Sequence, residues 1–137
     1  MFNFLKNIFS ASKPTKTNFS GIVTAKVLAV EKHPNADRLQ VVRLTDGTNE
    51  IYPVVCGAFN FKAGDVVALA LPGAIIPHNI HSDKGESFTL GTAKIRGVES
   101  QGMICAEYEL GLSPVAGEGI MILPADTSLG KPLGEVL

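Results

Sequence analysis

Cysteine is scarce in this sequence: Cys56 and Cys105 are the only two, and neither belongs to a CxxC pair. A disulfide-stapled secreted domain is thereby excluded, and both read as reduced thiols in buried strands of a cytoplasmic protein. Long apolar runs are missing too. No stretch reaches the roughly 18 residues that span a bilayer, so no membrane partner is expected. The start, Met1-Phe2-Asn3-Phe4-Leu5-Lys6, has neither the cationic leader nor the apolar core of a signal peptide. Charge is sparse at 18%, with a net value of −1, which excludes a chain that grips nucleic acid through overall basicity. A local basic patch stays open, because the charges are unevenly spread. Up to Thr45 there are seven Lys/Arg against two Asp/Glu; from Asp46 onward there are five against eleven. Internal repeats and low-complexity tracts are absent.

What the 137 residues do hold is 45% hydrophobic, with 14 Gly and 8 Pro, a mixture that favours short strands and turns around one core. Residues 1–18 stand apart as an N-terminal apolar anchor and flexible linker. Phe2, Leu5, Ile8 and Phe9 fall roughly on one helical face of a segment too short to hold as a helix alone. The run from Ser10 to Asn18, with Lys13, Pro14 and Lys16, reads as a flexible basic linker. The segment is either a frayed terminus or a small anchor that docks on this domain or a partner.

Residues 19–137 form the domain proper. Gly21 to Lys32 alternates as a strand, and His33-Pro34-Asn35-Ala36-Asp37 breaks it. A second strand, Arg38 to Thr45, switches its apolar face around Val41 and Val42, a bulge signal in a sheet that curls. Asp46-Gly47 marks a hairpin, and Glu50 to Cys56 is a third strand in which Pro53 argues for an edge or an irregularity. Val67, Leu69 and Leu71 alternate with Val66, Ala68 and Ala70, as suits a tightly curved fourth strand. A polar loop over residues 74–90 carries a minor hairpin near Lys84-Gly85, and a strand from Thr92 to Arg96 closes the set. A helical turn around Tyr108–Leu110, a strand from Gly119 to Leu123 and a short C-terminal extension follow. The expected fold is all-β with short helical turns: an OB-fold, a five-stranded Greek-key barrel.

No catalytic constellation emerges. Neither cysteine has the sequence context of a nucleophile with a positioned base. His78 and His81 with Asp83 are loosely spaced for a metal and lack a fourth ligand. Glu107 and Glu109 read as a solvated turn. No phosphate-cradling glycine loop opens a helix. The expectation is a protein that is not an enzyme and carries no cofactor.

The chain is organised around residues 94–105, Lys94-Ile95-Arg96-Gly97 through Gly102-Met103-Ile104-Cys105. Gly97 and Gly102 can take φ > 0 or admit a close backbone approach. Lys94 and Arg96, two apart, share a face if both lie in a strand. Two cations beside a polar turn suit a phosphate; a solvated strand face is the blander alternative.

These residues, together with His33-Pro34-Asn35-Ala36-Asp37-Arg38-Leu39, Val55-Cys56-Gly57-Ala58, Asn60 and Glu109-Leu110-Gly111-Leu112, resemble the tRNA-binding domain family. The likeness runs over about residues 19 to 137 and is greatest to the domain near the N-terminus of the bacterial phenylalanyl-tRNA synthetase β chain. It implies an OB-fold that holds tRNA or other structured RNA by shape, without sequence reading. Candidate nucleic-acid contacts are Lys26, Lys32, Asn35, Arg38, Arg43, Lys94, Arg96 and Ser100. His33, Pro34 and Asp37 are candidates for bracing the loop, with Asp37 capping backbone amides, and Gly97, Gly102 and Met103 for shaping the second motif. Phe59 stands where relatives usually carry proline, as a stacking surface or a gap filler. The sequence ends at Leu137, so the expectation is a stand-alone module. The alternative is a protein-interaction module that docks on an aminoacyl-tRNA synthetase. A homodimer would raise avidity by doubling the contacts.

Overall fold

The computed structural model describes residues 19–117 and 119–137; the anchor and linker expected over residues 1–18 lie outside the described residues. Four longer strands come first: β1 (Ile22–Lys32), β2 (Gln40–Thr45), β3 (Glu50–Cys56) and β4 (Val66–Ala70). Short ones follow: β5 (Ile75–Ile76), β6 (Phe88–Thr89), β7 (Ala93–Ile95), β8 (Val98–Ser100), β9 (Met103–Ile104) and β10 (Ile122–Leu123), before a single helical turn, α1 (Leu133–Val136).

β1 holds the sheet together because both its halves are paired. Its first half, Ile22 to Lys26, runs antiparallel to β4, and its second half, Lys26 to Lys32, antiparallel to β2. The change of partner falls beside a register shift between Val27 and Ala29, where the strand bends. β2 and β3 complete a meander, with a second shift that sets Tyr52 and Pro53 opposite Arg43. Proline has no amide proton to offer a ladder, so an irregularity is where it fits.

Closure comes from residues 98–104. β9 pairs with β4, while Gln101 N donates to Pro53 O at 2.9 Å and Val55 N donates to Ser100 Oγ at 2.9 Å. The ring therefore runs β1, β2, β3, residues 98–104, β4 and back to β1. The strand expected over 92–96 is not the closing one. It is trimmed to β7, which among the described residues pairs only with β8, and Arg96 leaves it for the turn.

Side chains on β4 alternate between two buried faces, as the pleat requires. Val67 and Leu69 join Ala25, Val27, Val42, Leu44, Val54 and Ile104 inside the barrel. Val66, Ala68 and Ala70 face outward yet stay buried beneath Phe19, Ile76, Leu110 and Leu133. The small outer residues let the 74–90 loop and α1 lie close against the strand. No helix among the described residues is long and apolar enough to cross a membrane.

Candidate nucleic-acid interface

β1 ends at Lys32, and the chain turns at once through His33-Pro34-Asn35. His33 is buried, and its imidazole makes two bonds. Nδ1 accepts the Asn35 amide at 3.0 Å, so the proton resides on Nε2, which donates to Ile95 O at 3.0 Å. One ring thus bolts the loop after β1 to the end of β7.

Beyond Ile95 the chain reverses in two residues, since Ile95 pairs with Val98. Both turn residues are left-handed, Arg96 at φ 51° and Gly97 at φ 93°, as a type I′ hairpin requires. Arg96 and Asn35 then exchange hydrogen bonds. Asn35 Nδ2 donates to Arg96 O at 3.0 Å, and Arg96 Nη2 donates to Asn35 O at 3.1 Å. Gly97 is needed on two counts: its φ, and a Cβ there would come within 3.3 Å of Asn35 Nδ2.

The remaining predicted residues divide by place. Arg38 and Lys94 are exposed beside this clasp, and among the described residues neither makes an ion pair. Lys94 faces Glu99 across the hairpin. Lys32 Nζ lies 3.6 Å from Asp37 Oδ1, and both side chains are largely in water, so the pair is weak. Asp37 makes no backbone hydrogen bond among the described residues, so the cap expected of it is replaced by that pair. Lys94 and Arg96 do not share a strand face, because Arg96 sits in the turn. Lys26 is exposed at the far half of β1, six residues or about 20 Å from Lys32.

Arg43, on β2, pairs with Ala29 of β1 and is occupied locally. Its Nη1 donates to Glu50 Oε1 at 2.7 Å, and its guanidinium stands 3.9 Å above the Tyr52 ring. The Glu50 hydrogen bond raises its pKa above the ordinary value. Tyr52 escaped the sequence reading because nothing in the pattern marks a partner of Arg43. It is half-exposed under a cation, and Phe59 is 59% exposed, so both rings present a flat face to solvent.

Ser100 is 4% exposed and does not face a groove. Its hydroxyl accepts from Val55 N and donates to Gly102 O at 2.9 Å, so its bonds are spent within the barrel wall. Gly102 lets β9 approach β4, since a Cβ there would lie 2.7 Å from Ala70 O. Met103 is half-buried against the core.

Glu109 is not the solvated turn residue expected. It is 8% exposed, and Oε1 accepts Ala106 N at 2.8 Å. Burial pushes its pKa up, opposed by the Ala106 bond and by His81. Burial likewise raises the Cys56 and Cys105 thiols, both free. His78 Nδ1 is 2.8 Å from Gly85 O, and no metal-holding group of His, Cys, Asp and Glu occurs among the described residues.

The same sequence matches known proteins. A family model described as "Putative tRNA binding domain" covers residues 22–132, which include the whole clasp. The phenylalanine–tRNA ligase beta subunit of Chlamydia pneumoniae is 46% identical over 125 residues, 90% of this chain and 15% of the relative. That of Geobacter sulfurreducens is 50% identical over 116 residues, 85% of this chain and 13% of the relative. The chain thus spans a small part of these relatives' length. Among solved structures, a MetRS-related protein from Pyrococcus horikoshii superposes with a TM-score of 0.56 at 16% identity, over 82% of this chain and 87% of that one. That likeness is one of fold.

Proposed function

The chain belongs to the tRNA-binding domain family, and from that premise we propose that it binds tRNA without reading its sequence, through the phosphates, and that this barrel does so by itself. The observation that supports the reading is the reciprocal Asn35–Arg96 pair, which ties the loop before Arg38 to the hairpin that carries Lys94 and Arg96. Arg96 spends one N–H on a neutral carbonyl and keeps its charge. Together with Arg38 and Lys94 it offers cations whose contact with phosphate would release counterions. Asp37 and Glu99 close by keep the local excess small. The expected affinity is accordingly on the order of micromolar at low salt. Lys32 and Asn35 complete the contact set, and Ser100 supports it from behind. An aminoacyl-tRNA synthetase is the protein partner this reading suggests, because the relatives' names are those of a ligase subunit. The compartment is then the cytoplasm, where tRNA is used.

A titration of the chain with bulk tRNA at several salt concentrations tests the reading. Lys94→Ala/Arg96→Ala is expected to bind more weakly and to flatten the slope of log K against log salt by about 1.5, near 0.8 for each lost phosphate contact. Wild-type chain that fails to bind tRNA at low salt ends the proposal.

A further inference from the structure

Beside the clasp lies a cavity of about 460 Å³. Leu39, next in sequence to Arg38, and Ile95, between Lys94 and Arg96, form part of its wall, so the cavity adjoins the backbone that carries those cations. Val55, Met103 and Ile104 make the rest of that wall apolar. Two polar groups line it as well, Glu109 and His81. The Glu109 carboxylate is withdrawn from water, and among the described residues its hydrogen-bond partner is the Ala106 amide, which takes Oε1. Among the described residues no donor reaches Oε2, and burying an unpaired carboxylate oxygen is costly.

We propose that this cavity receives one unpaired nucleobase of the bound RNA, guanine in preference to the others, with Glu109 accepting from its edge. The inference rests on the RNA-binding reading and departs from it at one nucleotide, where a base preference joins phosphate contacts that read no sequence. A flat ring suits an apolar slot, and the polarisable Met103 thioether is a favourable neighbour for an aromatic face. Bases splayed from single-stranded loops are the parts of an RNA that proteins read by such edge contacts. Guanine alone turns two adjacent N–H donors, N1–H and N2–H, toward a carboxylate. Adenine and cytosine offer one amino group, and uracil one imino group. The phosphate of the same nucleotide then lies toward Arg38 and Arg96.

Methionine methyl NMR on the full chain tests this, because Met103 lines the cavity and Met121 does not. Labelled protein is titrated with GMP, UMP and inorganic phosphate, and the same sample then with tRNA. The expected result is a Met103 shift with GMP at about tenfold lower concentration than with UMP, none with phosphate, and a steady Met121. In Glu109→Gln, which keeps an acceptor for Ala106 N, the preference for GMP over UMP is expected to disappear. Should that variant unfold, the wild-type ratio decides alone. Equal response to GMP and UMP, or a Met103 shift with phosphate alone, overturns the site. So does an unmoved Met103 in a sample that still binds tRNA, which leaves the RNA-binding reading intact. Failure of tRNA itself to bind removes that reading first.

Discussion

Arg96 occupies a conformation that costs an L-residue about 1–2 kcal/mol, and it is the one described non-glycine residue with positive φ. A residue suited to the turn, Asn or Gly, would relieve the backbone and lose the charge. Arg96→Asn is therefore expected to hold stability within about 1 kcal/mol of wild type, the relief offsetting the lost bond to Asn35 O. Its tRNA affinity falls all the same; urea melts beside a tRNA titration separate the two effects. Glu109 illustrates the opposite case, a charge held where it is disfavoured. Its folded-state pKa is raised by burial, so its contribution to stability is full below the ordinary carboxylate value of about 4.3 and declines as pH rises through the raised one. Glu109→Gln does not titrate. Its urea midpoint relative to wild type is expected to improve from about pH 4 to about pH 7, and a gain that shrinks over that interval contradicts the assignment.

At the scale of elements, the barrel's seam is its unusual part. Between β3 and the last residue of β8, a hydroxyl stands where a ladder would normally supply a carbonyl. Ser100→Ala strands the Val55 amide in a buried place, and a loss of about 1–3 kcal/mol in chemical denaturation is expected. β1 to β4 were legible in the sequence because alternation and turn residues act locally, and β3 was read to its observed ends. The bulge was legible in kind, its position less so, since register depends on the partner strand. β7 was misjudged for a related reason. Lys94 and Arg96 look like strand neighbours until the two-residue hairpin is seen, and that turn is selected by Asn35, 61 residues away. Glu109 was read as solvated because no local pattern reveals a wall that other segments build around it.

For the molecule as a whole, the cations divide into those gathered near the clasp and those left apart. Lys26, remote along β1, and Arg43, occupied by Glu50 and Tyr52, looked equivalent to Lys94 in the sequence because charge carries no address. Lys26→Ala is accordingly expected to change tRNA affinity less than Lys94→Ala under the same low-salt titration; an equal loss would mean that RNA reaches across the barrel. The clasp also has a bearing on how this surface comes into being. His33 and Asn35 are made early and must wait for Ile95 and Arg96, so a nascent chain that has not yet delivered its hairpin has no finished grip to offer an RNA. Competence arrives late and all at once, when two distant stretches of the polypeptide lock.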